Sequence, residues 1–426
     1  MKCFEKNCKL EVIENDNKCI LHSEDKDKDI QIFWKRIRDD LSKKYICNEG
    51  EREIFNHEVI YKNIQFPKFE EENFKDYESE SNRCISDEES NFYFINSEED
   101  GKNYIDEIIN DCNIKFENCT FWDEVKLERY DFQNIISFVD CTFEKEIFIK
   151  DEINSIISFI NCDFKNQKFD ISNRIFNKNF ILIECKNVEL IIINTYFKST
   201  FSLSRSNINK AIFDQTNFED MAIFIDTKFT KDISFNYCIF SNHVFLNGCE
   251  IHTKIDLKNA IFKSETNFID IKNKYGKDLK AENIDNRETA RIIKNYFEKQ
   301  NNIIEANKFY ALEMRKREKE LSCKGPVFEF IIFYLHKITS KHSQSWILVL
   351  SWIVFVSILG IENTPMESIT KLLYGQNYLD LIANSFYSIF KFDGSDITIY
   401  KLILKLFMGY LIYQFIVSIR QNTRRK

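Results

Sequence analysis

The sequence predicts a mixed fold: a parallel β-solenoid, then a helical hairpin, then two transmembrane helices. Three observations predict it. A short motif ending in an aromatic residue recurs through residues 110–272 at close to multiples of 11. From Asn286 the apolar period changes to that of a helix. Two apolar stretches, residues 345–361 and 397–419, lie near the C-terminus. Composition agrees, because 9 glycines and 3 prolines against 41 phenylalanines suit one long regular body with few breaks.

The first segment, residues 1–45, carries Cys3, Cys8, Cys19 and His22 in the spacing C-x4-C-x10-C-x2-H. Four soft or borderline ligands so close together suit tetrahedral Zn2+, and a full protein ligand set makes such a site structural rather than catalytic. A segment this short and polar builds little core of its own, so a metal would supply folding free energy directly. The alternative is a set of unpaired thiols. Residues 25–42 then read as a short helix with Ile30, Phe33, Trp34, Ile37 and Leu41 on one stripe. Residues 46–109 form an acidic lead-in, most acidic over 70–100, read as a solvated edge or linker.

The repeat occupies residues 110–272. Its marks are NCTF, DCTF, NCDF, NTYF, QTNF, DTKF, YCIF and NAIF, ending at Phe121, Phe143, Phe164, Phe197, Phe218, Phe229, Phe240 and Phe262. The residue two before each Phe is Cys, Thr or Ala. A small and a bulky residue pointing inward at fixed spacing is the pattern of coils that stack and bury a shared core. The cysteines at 119, 141, 162, 238 and 249 fit core packing better than a metal ladder, because free Cys behaves as a small hydrophobe. These marks resemble a degenerate pentapeptide-repeat protein, with a coil of about 21–22 residues in place of 20. The resemblance implies a right-handed parallel β-helix, here about seven coils and roughly 35 Å long at about 4.8 Å per coil.

Residues 285–323 read as a helical hairpin. Asp285 with Glu288 fits a capping box. Ile292, Ile293, Tyr296 and Phe297 form one face, continued after Asn301 and Asn302 by Ile303, Ala306, Phe309, Tyr310 and Met314. Such a hairpin can close the open end of a solenoid. Gly325 and Pro326 break it. Residues 326–342 (VFEFIIFYLHKI at the centre) read as an interfacial helix on the inner leaflet, with His336 and His342 as interface residues.

Residues 345–426 form the membrane domain. The first stretch has no charge over 17 residues, at the short end of a span, and the second carries Lys401 and Lys405 in its first turns. Two buried helices of a soluble domain are the alternative, which lengths of 10–14 would favour. Basic residues precede the first stretch and follow the second, placing both flanks in the cytoplasm. The expected location is a bacterial inner membrane, multi-pass, with both termini cytoplasmic. No apolar leader opens the sequence.

Between the spans, residues 379–390 form an amphipathic segment followed by Phe392, Asp393, Gly394, Ser395 and Asp396. The order of span, re-entrant helix, glycine turn, span and basic end resembles the two-helix pore module of potassium-channel-like proteins. Against that family's T-V-G-Y-G-D filter stands K-F-D-G-S-D, so one glycine and Asp396 match and Asp393 is new. The resemblance implies an oligomeric pore lined by these five residues, here wider and acidic, passing cations. An ordinary external loop is the alternative.

Function follows as an expectation. The first reading is a homo-oligomeric membrane pore for passive cation passage, with the solenoid as a cytoplasmic sensor. The second is a non-conducting scaffold, tethered to the bilayer, with the solenoid as a surface for a cytoplasmic protein. No P-loop, nucleophile elbow or zinc-protease motif occurs, so no enzyme is expected. The net charge of −8 supplies no nucleic-acid footprint. The 13 cysteines are an odd number, against a disulfide framework in the cytoplasm.

Overall fold

The computed structural model describes residues 2–5, 8, 10–12, 16–29, 32–33, 36–37, 57–67, 112–127, 134–324, 327–359 and 399–423, with single positions 380, 383 and 387. They fall into two units, residues 1–285 and 286–426.

The first unit holds a parallel β-solenoid of about seven turns. Its register is read directly from one sheet. Ile114 pairs with Ile136, Ile136 with Ile157, and the column runs on through Phe180, Phe201, Ala222, Val244 and Thr266. Each step is 21 to 23 residues, so the coil has the length the motif spacing predicts. Every pairing between strands is parallel, because each coil advances the chain by one strand spacing and returns it in the same direction.

The motif marks occupy two opposite faces. Phe66, Phe121 and Phe143 are directly paired, and Phe164 stacks on Phe143 at 5.2 Å. Phe176, Phe197, Phe218, Phe240 and Phe262 form the other column. Phe229 returns to the first face, between Ile208 and Ile251. Intervals of 11 are therefore half a coil, and the 33 residues from Phe164 to Phe197 are a coil and a half. Stacked rings such as Phe218 on Phe240 lie 4.8 Å apart, which is the strand spacing itself.

A backbone corner precedes each mark. Asn118, Asp140, Asn161, Asn194, Gln215, Asp226, Tyr237 and Asn259, the first residues of the eight tetrads, all have φ between 50° and 57°. Asn and Asp tolerate this left-handed region best among residues with a side chain. The Cys or Thr that follows at 119, 141, 162, 195, 216 and 227 turns inward and donates to the coil before it. Cys141 Sγ donates to Phe116 O and Cys162 Sγ to Phe138 O, both at 3.4 Å. Thr195 and Thr216 do the same to Ile171 O and Ile192 O at 3.0 and 3.1 Å. Cysteine in this ladder is a packing and hydrogen-bonding residue. Burial pushes the Cys238 and Cys249 thiols up to about 12, so they stay neutral.

Both ends of the solenoid are covered within the same unit. At the start, Phe33 and Ile37 of the predicted stripe are fully buried, and Phe33 meets Phe66 edge-on at 5.6 Å. At the other end Ile284 bridges to Ile255, and the buried Asn283 side chain donates to Thr253 O at 3.0 Å. The sequence predicts this second cap in the helical hairpin; within the first unit the residues just before Asn286 supply one.

The second unit is helical: α1 (Arg287–Lys299), α2 (Ile303–Lys324), α3 (Val327–Ser340), α4 (Trp346–Leu359) and α5 (Ile399–Thr423). The N-cap of α1 is Asn286 rather than Asp285. Its side chain accepts from Thr289 N at 2.9 Å, the bond that a cap needs. Phe297 stacks on Phe309 at 5.6 Å between α1 and α2. The buried Glu313 of α2 is held by Arg291 and Lys294 of α1, both at 3.0 Å. Val349, Ile353 and Val356 of α4 pack with Leu404, Met408 and Leu411 of α5.

Candidate metal centre and membrane segment

The four N-terminal ligands come together. The donor atoms of Cys3, Cys8, Cys19 and His22 all lie within 4.8 Å of one another. Cys8 Sγ is 3.7 Å from Cys19 Sγ, and His22 Nδ1 is 3.5 Å from Cys3 Sγ and 3.2 Å from Cys19 Sγ. A tetrahedral ion with metal–sulfur bonds of about 2.3 Å has a sulfur–sulfur edge of about 3.8 Å. The cluster therefore has the size of a coordination sphere, and could hold a metal ion.

Local backbone builds it. Lys2 bridges antiparallel to Glu11, Cys3 N donates to Leu10 O at 2.9 Å, and Cys8 N donates to Glu5 O at 3.0 Å, which sets Cys3 and Cys8 near each other. Cys19 opens a turn closed by His22 N and Ser23 N on Cys19 O, at 3.0 and 2.9 Å, and this sets Cys19 beside His22. The Cys19 amide donates to Cys3 Sγ at 3.2 Å, a contact that favours thiolate. Burial works against ionised Cys3, yet hydrogen bonds from the Glu5 and Cys19 backbone hold its thiol below the ordinary value. Burial pushes the Cys19 thiol up to about 12 and His22 down. A bound cation would reverse that preference at the sulfurs, because a coordinating thiol is deprotonated.

The site is continuous with the first coil. The His22 ring also bonds the Lys62 backbone, Leu21 O accepts from Gln65 N at 3.0 Å, and Asn63 Nδ2 donates to Glu5 Oε1 at 2.7 Å. The C-x4-C-x10-C-x2-H spacing foretold that these four side chains meet. It could not foretell these contacts, which join residues some forty to sixty positions apart.

In the second unit the described residues contain one helix long and apolar enough to cross a membrane, with its span at residues 402–421. Only 28% of its apolar window is buried, unlike the core helix of a soluble domain. Leu402, Ile403, Leu406, Tyr413 and Ile416 face outward. The helix α4 is apolar throughout and has 14 residues, fewer than the 17 of the predicted span. In α3, Val327, Phe328, Ile331, Ile332, Leu335 and Ile338 form an exposed apolar stripe. Polar groups of these helices turn inward and bond one another. Ser343 donates to Gln414 at 2.8 Å, Thr339 meets Tyr410 at 3.2 Å, and Trp352 Nε1 donates to Ile338 O at 3.1 Å.

The joint between α3 and α4 is a feature that the sequence reading missed. Lys341, His342 and Ser343 have φ of 48°, 58° and 65° in succession, without a glycine among them. His342 Nδ1 lies 3.3 Å from His336 Nδ1, and its ring packs 4.4 Å from that of Phe333. Phe392, Asp393, Gly394, Ser395 and Asp396 lie outside the described residues, as do the acidic stretch 70–100 and most of 379–390. No family model, no curated protein and no solved structure matches the chain.

Proposed function

We propose that the chain is a membrane-tethered scaffold, in which α4 and α5 anchor a cytoplasmic solenoid whose surface binds protein. The apolar outward face of α5 carries this reading, since an exposed apolar surface of that length is stable in lipid and not in water. Two spans, residues 345–361 and 397–419, would put both termini in the cytoplasm of a bacterium by the distribution of basic residues. Alkaline carbonate extraction of membranes from expressing cells tests it. The full chain should stay in the pellet, and release into the supernatant would overturn the tether.

We assign zinc to the Cys3, Cys8, Cys19 and His22 cluster. Three thiolates and one imidazole at these separations suit that ion, and the set leaves no open position for catalysis. Its part is to hold the N-terminal cap on the first coil. Purified protein should contain about one zinc per chain by elemental analysis, and Cys8→Ser with Cys19→Ser should lose it. Metal-free protein with an ordered N-terminus would overturn the assignment.

A second reading, an oligomeric cation pore, is favoured by one feature of sequence. Asp393 and Asp396 stand on either side of Gly394 between the two apolar stretches, where copies in a ring would form an acidic mouth.

A further inference from the structure

We propose that one uncharged sheet face of the solenoid pairs with the same face of a second copy of this chain. The proposal deepens the scaffold reading by naming the surface and its partner. The face belongs to the sheet whose inward column runs from Ile136 to Val244. From strand Ile135–Val139 to strand Val244–Phe245, the side chains between the inward ones are Ser, Val, Ile or Phe, with no Lys, Arg, Asp or Glu. The other long sheet is different. It is covered by charge ladders such as Lys168 with Asp170, Glu189 with Lys231 and Lys228 with Glu250, at 2.8, 2.9 and 3.0 Å.

Three properties fit this face to a copy of itself. First, it has a notch beside ridges of matching size. Ser202 and Ser204 make a low row, flanked by the bulky rows Ile181 with Ile183 and Ile223 with Ile225, one strand spacing away on either side. An isologous contact needs knob and notch in one patch. Second, the hydroxyls are already paired, Ser202 with Ser204 at 3.2 Å and Ser158 with Ser137 at 2.9 Å, so covering them leaves at most one O–H in each pair to find an acceptor. Third, two copies of a chain with net charge −8 repel each other at most surfaces, and here no charge would be buried. Charged corner residues Asp140, Glu184, Arg205 and Asp226 border the face and make a polar rim.

Six strands about 4.8 Å apart and two to five residues long, at about 3.3 Å per residue, give about 350 Å² of flat face on each partner. That is less than half of what a stable specific interface buries per partner, about 800 Å², as expected of a weak dimer. Tethering raises the effective concentration to the millimolar range, where a weak contact suffices.

The test uses the full-length chain in detergent, sized by light scattering. The parent should be dimeric at tens of micromolar, and Ile183→Lys with Ile223→Lys should raise the dissociation constant at least tenfold. Both sites point outward, and circular dichroism checks that the solenoid is kept. A second arm needs no lysine. Ser202→Cys should form covalent dimers under mild oxidation, whereas Asn209→Cys on the charged sheet should give no more than the parent. A monomeric parent, a dimer unchanged by the lysines, or equal cross-linking from Asn209→Cys would each overturn the proposal. Failure of the tether is read separately, by carbonate extraction.

Discussion

Asn118, Asp140 and Asn161 stand first in their tetrads because the chain turns a left-handed corner there. The inward Cys and Phe of each tetrad were legible from spacing alone, since burial of a small and a large residue repeats with the coil. The corner was not read, although Asn and Asp at the first position are its signal. Glu184, Arg205 and Tyr237 occupy the same conformation without that preference, so the coil stack imposes it there. Gly248 is the corner where the side chain itself is in question. Its φ is 73°, and a Cβ would meet Asp226 Oδ1 at 2.0 Å. Asp226 is exposed and can swing away, so the backbone term dominates. Gly248→Val should destabilise the solenoid by about 1–2 kcal/mol in denaturant unfolding, and Gly248→Asn by clearly less. Equal costs would mean that the Asp226 clash, not φ, sets the penalty. The meeting of Cys3, Cys8, Cys19 and His22 was legible for the same reason as the tetrads, a fixed local spacing. The His22 contact with Lys62 was not, because only the folded first coil brings that backbone near.

At the scale of elements, the two phenylalanine columns explain why the motif intervals alternate between whole and half coils. Phe164 sits in the first column at 1% exposure, against Phe143 and Phe169 at 5.2 and 5.6 Å. Phe164→Ala should cost about 3–5 kcal/mol in equilibrium unfolding, with Phe262→Ala at the half-buried last coil costing less. Comparable losses would show that burial along the stack does not set the cost. Helices α1 to α3 were legible from period and from breakers at Asn301, Asn302, Gly325 and Pro326. The joint after α3 was not, because Lys-His-Ser carries no turn signal. Tertiary bonds hold it there, including Ser343 to Gln414. Burial first, then the neighbouring His336, push His342 down to about 4, with Glu318 opposing and Lys337 and Arg317 adding. Between an unfolded pKa of about 6.5 and that value, the unfolded chain binds a proton that the folded joint does not. Stability is therefore full above about pH 6.5 and falls as pH drops toward 4. Melting of the helical signal in detergent should shift to lower temperature from pH 7 to pH 5. His342→Asn, which keeps a residue tolerant of φ > 0, should flatten that shift, and an unchanged shift would clear His342 of the role.

For the whole molecule, the division into a solenoid unit and a helical unit was legible because the apolar period changes at one place, near Asn286. The membrane reading was legible in part. Residues 402–421 meet the length of a span, while the 14 residues of α4 reach about 21 Å, short of a hydrocarbon core of about 30 Å. What separates a tether from a pore is the stretch between the two helices, and there only sequence speaks. Asp393 and Asp396 are three residues apart with Gly394 between them, a spacing that would put two carboxylates per subunit at the mouth of a ring. Rings of carboxylates concentrate cations and exclude anions. If copies assemble around that mouth, liposomes holding the full chain should pass small cations in preference to chloride. Asp393→Asn with Asp396→Asn should weaken the preference while leaving the solenoid signal in circular dichroism intact, since the substitutions lie outside its unit. Gly394→Val should reduce flux if the turn uses a conformation that a β-branched residue disfavours. Liposomes that stay tight around inserted protein, with the parent and both variants alike, would remove the pore and leave the tethered scaffold.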